Sequence, residues 1–194
     1  AYVAAAWADI SLDLAWYTTG SYGTYDYYYG YSAGTEAMFY GGPFTGAGKL
    51  REKVSLVDLA PTLLDACGIP VPADMQGRSI MPWVRRETTT PSGKDIFVQI
   101  SESQVGRAIR TDRWKYSVEA LDKDPIQDAG SPEYTETFLY DLEHDPYELH
   151  NLIHSKAHEK VCEVLAEKLK RCMTEAGEPA PVIHPASKEK MGQL

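Results

Sequence analysis

The pattern of apolar and polar residues predicts a helix in the first half of the chain. Leu59, Leu63 and Cys67 recur at a four-residue spacing, which places them on one apolar face. Asp58 can cap the start of this helix, and Gly68 can end it in a left-handed conformation. We therefore expect a short helix whose apolar face is buried.

Further along the chain, apolar residues recur at every second position, which predicts strands. Four half-buried strands are expected, at 96–101, 106–110, 113–118 and 137–142. The connection at Thr111 and Asp112 is too short for a parallel crossover, so antiparallel pairing is expected. Near the start of the chain, an apolar run at 10–19 ends in a glycine-rich loop and predicts a further, buried strand.

A second helix is predicted after these strands. Its apolar positions follow the 3.6-residue period and are Val161, Leu165, Leu169, Cys172 and Met173. Ser155 can cap its start, and Gly177 can end it. We expect Leu165 and Leu169 to be buried against the strand face that carries Trp114, Tyr116, Phe138 and Tyr140.

The composition excludes several classes of protein. Asp and Glu number 28 against 19 Lys and Arg, a net charge of -9, which argues against a nucleic-acid or anionic-membrane partner because clustered cations recognise both. No apolar run approaches the ~20 residues of a membrane helix, so a soluble protein is expected. The three cysteines lack C-x-x-C spacing, and we expect reduced, buried thiols rather than a disulfide framework or a zinc site.

Four segments after residue 49 resemble a known family. In chain order they are 54–70 (VSLVDLAPTLLDACGIP), 75–79 (MQGRS), 107–116 (RAIRTDRWKY) and 139–152, which reads L-Y-D-L-x-x-D-P-x-E-x-x-N-L. They resemble a helix, a loop, a strand pair and a turn of the sulfatase family, within the alkaline-phosphatase superfamily. Because all four occur in the family's order, the chain is identified as the C-terminal portion of a sulfatase.

The resemblance implies an α/β fold. It consists of the end of an alkaline-phosphatase-like sulfatase domain and a C-terminal subdomain of antiparallel strands with one packed helix. On this interpretation, residues 1–93 are the C-terminal part of the catalytic α/β domain. Residues 94–194 are then the sheet and helix subdomain.

The resemblance also implies a function, the hydrolysis of sulfate esters through a formylglycine nucleophile and calcium. The nucleophile comes from a C/S-x-P-x-R motif, which this sequence lacks: Cys67 is followed by Gly-Ile-Pro. No catalytic residue and no metal ligand is therefore assigned in this chain, and alone it is expected to be inactive. The implied partners are a sulfated small molecule or carbohydrate and the rest of the sulfatase polypeptide.

One further stretch can be compared with the family, whose pattern T-S-D-H-G is followed by K-G-T. When 18–19 and 34–35 are used as anchors, Gly20 and Ser21 occupy the Asp and His positions, and Ala33 occupies the lysine position. Glycine offers no side-chain oxygen to calcium, and alanine offers no charge to a sulfate. The ligands of the implied calcium are thus absent from the sequence as written.

Polar residues where two predicted strands meet are the candidate substrate-binding residues. They are Glu102, Gln104 and Arg107. In sulfatases this subdomain abuts the active-site cleft, which implies a substrate contact; the alternative is a set of ordinary polar residues at strand ends. For the whole protein, two other functions compete with sulfate-ester hydrolysis: a non-catalytic structural or subunit chain, and a phosphodiester or phosphonate hydrolase of the same superfamily.

Three simpler patterns receive structural interpretations. His150, His154 and His158 are spaced like a metal-binding stripe on a helix, but surface or capping histidines fit better because Ser155 starts the helix after the first two. Residues 145–148 are expected to form a turn that leads into the second helix. The basic side chains of the strand pair are expected on a solvated sheet face; they are Arg110, Arg113 and Lys115.

Overall fold

The structure, a computed structural model, describes residues 14–16, 38–39, 43–44, 48–50, 52–100 and 104–186. The chain divides into two compact units, Ala1–Lys94 and Asp95–Leu194. The assignment of 1–93 to a catalytic domain stays a prediction, because compactness does not identify where catalysis occurs. No helix among the described residues is long and apolar enough to cross a membrane.

The described part of the first unit contains a small sheet and two short helices. Strand β1 (Leu14–Trp16) pairs in parallel with β2 (Met38–Phe39) and antiparallel with β3 (Gly48–Leu50). Strand β1 lies inside the apolar run predicted as a buried strand. The helices are α1 (Leu59–Ala66) and α2 (Met81–Val84).

A tight approach between two backbone segments organises the start of α1. The buried Asp58 carboxylate accepts hydrogen bonds from the Ser55 N–H and the Arg78 N–H, both at 2.9 Å. A Cβ atom on Gly77 would lie 1.9 Å from the Val57 carbonyl oxygen, so only glycine fits there. The Asp58 carboxylate therefore links the M-Q-G-R-S loop to the turn before α1, and it makes no side-chain capping bond to α1, so the predicted cap is wrong.

The buried face of α1 differs from the prediction. Leu63 is 49% exposed and Cys67 is exposed, whereas Pro61 and Thr62 are buried. The Thr62 hydroxyl donates to the Asp58 carbonyl at 2.6 Å and accepts from the Ile80 N–H at 3.1 Å. These bonds turn Thr62 inwards, so the expected apolar face and a buried Cys67 are both wrong. Gly68 ends the helix in the left-handed region (φ +70°), as predicted.

The second unit is built on a five-stranded sheet in the order β4-β5-β6-β7-β8. Its strands are β4 (Ile96–Ile100), β5 (Gly106–Arg110), β6 (Trp114–Glu119), β7 (Glu133–Asp141) and β8 (Val182–His184). The first four pair antiparallel, as predicted. Strand β8 pairs in parallel with β7 and was not predicted, because three residues are too few to show a period.

One long helix, α3 (Glu159–Glu175), packs on this sheet. A 3-10 turn (Lys156–His158) precedes it, and Gly177 (φ +87°) follows it in the left-handed region. Leu165 and Leu169 are buried, as predicted, within a cluster that includes Val105, Ile109, Tyr116, Val118, Tyr134, Leu139, Cys162 and Met173.

A β-bulge decides which residues of β7 reach this core. Tyr134 and Leu139 are both in the core although they are five residues apart, and regular alternation would place them on opposite faces. The register with β6 shifts between Ser117 and Val118, which reverses the alternation. Phe138 and Tyr140 stack on each other at 5.9 Å instead of joining the core, so their predicted packing against the helix is wrong.

Candidate functional site at one end of the five-stranded sheet

Two of the predicted substrate-binding residues, Gln104 and Arg107, lie at one end of the sheet. The register pairs Ile100 with Gly106, Gly106 with Glu119 and Glu119 with Thr135, so the end of β4, the start of β5 and the end of β6 meet there. The start of β7 pairs with the start of β8 at the same end. Loops from four strands therefore converge on this end.

Arg107 is buried at this end and uses its guanidinium within the protein. Its Nε lies 2.9 and 3.0 Å from the two carboxylate oxygens of Glu178. One terminal nitrogen donates to the Gly106 carbonyl at 2.7 Å, and the other donates to the Ala129 carbonyl at 2.8 Å. Contact between Arg107 and substrate stays a prediction, and these bonds favour a supporting position beneath the loops.

The loop between β6 and β7 is packed onto this buried guanidinium. The Arg107 guanidinium carbon lies 5.7 Å from the Tyr134 ring centroid, and the Tyr134 hydroxyl accepts from the Ser131 N–H at 3.0 Å. A Cβ atom on Gly130 would lie 3.1 Å from an Arg107 nitrogen, so a larger residue would crowd the guanidinium. Arg107 thus fixes the return of this loop into β7.

Gln104 lies just before β5 and is half-buried. Its side-chain nitrogen is buried and has no hydrogen-bond partner among the residues that the structure describes. A Cβ atom on Gly106 would lie 2.8 Å from this nitrogen, so the amide occupies space that the glycine leaves. Glu102 lies outside the described residues. Substrate contact by either residue stays a prediction.

An open groove of about 440 Å³ lies at the same end of the sheet. Its lining is mostly polar and comprises Glu119, Ala120, Leu121, Asp122, Lys123, Ser131, Pro132, Glu133, Tyr134, Thr135 and His184. Burial raises the pKa of the Glu119 carboxyl. His184 Nε2 lies 2.9 Å from a carboxylate oxygen of Glu133. Sequence reasoning missed this groove, because its residues come from separate loops and an unpredicted strand.

Arg113 and Asp141 form a forked ion pair in the strand pair and turn that resemble the sulfatase family. Arg113 Nε and a terminal nitrogen donate to the two Asp141 oxygens at 3.1 and 2.7 Å. The hydrogen bonds from Arg113 lower the pKa of Asp141 to about 2. Asp141, Glu143 and His144 are close enough to hold a metal ion, but the arginine already occupies both Asp141 oxygens.

Lys115 is buried, contrary to the prediction of a solvated sheet face. Its Nζ donates to a carboxylate oxygen of Glu148 at 2.7 Å, and Glu148 has a positive φ of 56°. The Asp145 carboxylate accepts from the His150 N–H at 2.7 Å. The predicted turn at 145–148 is therefore confirmed, and a buried ion pair fastens it to the sheet.

Asn151 continues the sheet where β8 has ended. Its Oδ1 accepts from the Leu139 N–H at 3.0 Å, and its Nδ2 donates to the Thr137 carbonyl at 2.9 Å. Strand β8 pairs only with 133–135 of β7. The Asn151 amide thus satisfies an open strand edge, a role that the N-L of the turn pattern did not reveal.

The three histidines do not form a metal-binding stripe. His150 and His154 are exposed and precede the 3-10 turn, whereas His158 lies at the start of α3. His158 Nδ1 lies 2.9 Å from the Ser155 hydroxyl oxygen, and its ring packs edge-on against Trp114. The helix thus begins after the first two, as predicted.

The described residues do not fit the cofactors that the resemblance implies. Cys67 lies at an exposed helix end and lacks the Pro and Arg of the formylglycine motif. In the cluster of Asp141, Glu143 and His144, both Asp141 oxygens already accept hydrogen bonds from Arg113. The aligned positions Gly20, Ser21 and Ala33 lie outside the described residues. No catalytic step is therefore derived through calcium or formylglycine in this chain.

Known proteins share both the sequence pattern and the fold. Residues 20–175 match the family described as N-sulphoglucosamine sulphohydrolase, C-terminal, and the chain belongs to that family. The predicted sulfatase resemblance and the α/β fold class are thereby confirmed, with a five-stranded mixed sheet and a packed helix.

Individual relatives are sulfatases from bacteria and animals. An N-acetylglucosamine-6-O-sulfatase of Bacteroides thetaiotaomicron is 28% identical over 132 residues, which cover 64% of this chain and 23% of that protein. Arylsulfatase K of Homo sapiens is 33% identical over 124 residues, 57% of this chain and 21% of that protein. A solved structure in complex with its substrate D-glucosamine-2-N,6-O-disulfate has 27% identity and a TM-score of 0.51, over 64% of this chain and 24% of that one. The chain thus spans about a quarter of these relatives.

Proposed function

We propose that this chain is the C-terminal part of a sulfatase that hydrolyses sulfate esters of a carbohydrate or another sulfated small molecule. The family match over residues 20–175 carries this proposal. The nucleophile, formylglycine, and the calcium ion lie mostly outside this chain, since its sequence lacks the motif for the first. The rest of the sulfatase polypeptide is accordingly the principal partner.

The contribution of this chain is to present substrate-side residues on a rigid support. Gln104 is half-buried just before β5, and its side-chain amide is of a type that hydrogen-bonds a sugar hydroxyl or a sulfate oxygen. Arg107 is buried beneath the nearby loops and stabilises them through its bonds to the Glu178 carboxylate and the Ala129 carbonyl. Glu102 belongs to the same proposed substrate side by its place in the sequence.

Hydrolysis assays of the full-length protein that carries this chain test the proposal. We expect release of sulfate from 4-nitrophenyl sulfate or glucosamine 6-sulfate to exceed release from a phosphonate monoester or a phosphodiester. A preference for the phosphorus substrates would assign the protein to the other hydrolase class. Turnover of none of them would support a non-catalytic chain.

A variant of Gln104 tests the substrate-side assignment separately. Gln104→Ala should raise KM for the sulfated sugar about tenfold, because one substrate hydrogen bond is lost. Gln127→Ala, an exposed amide in the same unit, is the matched control. An unchanged KM in Gln104→Ala, with normal folding, would remove Gln104 from the substrate side.

The 194-residue chain alone should not hydrolyse sulfate esters, because its sequence contains no C/S-x-P-x-R nucleophile motif. Assay of the purified chain with an aryl sulfate and added calcium is the check. Turnover above a buffer blank would contradict this expectation.

A further inference from the structure

We propose that the groove at the end of the sheet binds an unsulfated amino sugar, whose ammonium group pairs with Glu119. No role in catalysis is assigned to it. The choice of a sugar rests on the proposed function. Among the described residues, the predicted substrate contact Gln104 does not line the groove.

The size of the groove and the chemistry of its walls suit a sugar ring. Its volume of about 440 Å³ falls within the usual ~300–1,000 Å³ of small-molecule sites. The walls supply hydroxyls from Ser131 and Thr135, a carboxylate from Glu133 and an imidazole from His184. Sugar hydroxyls both donate and accept hydrogen bonds, and together these side chains offer donors and acceptors to them.

The Glu119 carboxylate favours a ligand that carries a positive charge. It is half-buried at the end of β6, and it has no ion pair or side-chain hydrogen bond with the part of the chain that the structure describes. The other two carboxylates of the groove each have a cationic or imidazole neighbour: Asp122 lies 3.8 Å from Lys123, and Glu133 lies 2.9 Å from His184. The ammonium group of a ligand would form an ion pair with the Glu119 carboxylate, whereas that carboxylate would repel a sulfate group.

The walls of the groove are held in place from inside the protein. Tyr134 stacks on the buried Arg107 guanidinium, and its hydroxyl binds the Ser131 N–H. Arg107 also binds the carbonyl of Ala129, within the loop that closes one side. Because this buried network orders the loop before any ligand arrives, binding costs little ordering entropy.

The test measures binding without turnover. Isothermal titration of the full-length protein with D-glucosamine, D-glucose and ethylamine compares three probes that carry no sulfate ester for the protein to hydrolyse. We expect D-glucosamine to bind most tightly. Glu119→Gln, which preserves shape, should weaken that binding about tenfold through loss of a charge-assisted hydrogen bond. Glu133→Gln, at an exposed position, should weaken it less.

Controls separate this inference from the proposed function. Glu163→Gln removes an exposed carboxylate on α3, away from the groove, and should leave D-glucosamine binding unchanged. Equal binding of D-glucose or ethylamine, or no effect of either groove variant, would overturn the inference. Sulfate hydrolysis without D-glucosamine binding overturns this inference alone, and binding without hydrolysis overturns the proposed function alone.

Discussion

The two faces of the five-stranded sheet are stabilised by different interactions. Under α3 the face is apolar, and Tyr116 and Leu139 pack there with Leu165 and Leu169. Contacts of this kind depend on volume and have little directional preference. This face should therefore tolerate changes that conserve size.

The opposite face buries polar groups that depend on specific partners. Lys115 alternates with Tyr116 and so points away from α3, where its ammonium meets Glu148. Ser117 and Thr137 approach each other through their hydroxyl oxygens at 3.1 Å. Removal of one partner there leaves the other desolvated, so single changes should cost more than paired ones. The apolar face thus stabilises the fold through packing, and the polar face fixes the position of the turn at 143–152.

The largest loss of stability is expected from a substitution on the polar face. Glu148→Ala should lower the free energy of unfolding by ~3–5 kcal/mol, because Lys115 stays buried without this carboxylate. Urea unfolding followed by circular dichroism measures it. The double variant Lys115→Met with Glu148→Leu should recover most of the loss. If the double variant is as unstable as the single one, volume and not charge controls this face.

On the apolar face, Leu165→Ala should lower the free energy of unfolding by ~2–5 kcal/mol through loss of buried contacts and a residual cavity. Val164→Ala on the exposed side of α3 is the matched control and should change it little. Leu165→Met, which nearly conserves volume, should cost less than ~1.5 kcal/mol. A Leu165→Ala protein that melts like the parent would contradict the packing of α3 on the sheet.

Asn151 lies at the edge of the sheet and bonds the backbone of β7. Asn151→Ala should cost ~1–3 kcal/mol, because the Leu139 N–H and the Thr137 carbonyl lose their partners. Faster hydrogen exchange at the Leu139 amide should accompany the loss. His154→Ala, an exposed neighbour, serves as control. Unaltered protection of the Leu139 amide would show that the edge is closed by other means.

The smallest effect concerns acid stability. The pKa of Asp141 is lowered from 3.8 to about 2 by its bonds to Arg113, so the stabilisation is complete above about pH 4 and is lost as pH falls through about 2. Unfolding midpoints measured between about pH 5 and 2 should show this decline. Arg113→Gln should reduce it, and an identical profile in that variant would assign the acid sensitivity to other carboxylates.

Periodic segments were predictable from the sequence, and the contacts between them were not. Leu165 and Leu169 were placed correctly because a long helix repeats its period many times. The core position of Leu139 was missed because a bulge reverses the alternation of buried and exposed positions. The residue types of β7 do not indicate where that bulge occurs. Lysine is usually found at the surface, and the buried Lys115 is paired with Glu148, which lies 33 residues away in the chain.

The candidate site was predictable only in its approximate location. The sequence places Gln104 and Arg107 where two strands meet, and the structure agrees with that placement. The partners that fix Arg107 are Glu178 and Ala129, which are 71 and 22 residues away in the chain. Contacts at such separations depend on the folded topology, and local patterns contain no record of them.

The Asn151 amide has a consequence for the ageing of the protein. Slow deamidation of asparagine to aspartate would replace the Nδ2 donor with a second oxygen, which would then face the Thr137 carbonyl oxygen. The edge of β7 beyond 133–135 would lose one of its bonds, at the Thr137 carbonyl, which would become available to a donor from another molecule. The Leu139 N–H would keep Oδ1 as its acceptor, and the Leu139 carbonyl would keep the Leu152 N–H at 2.8 Å. A stored sample should thus acquire, together with one added negative charge, a tendency to associate edge to edge.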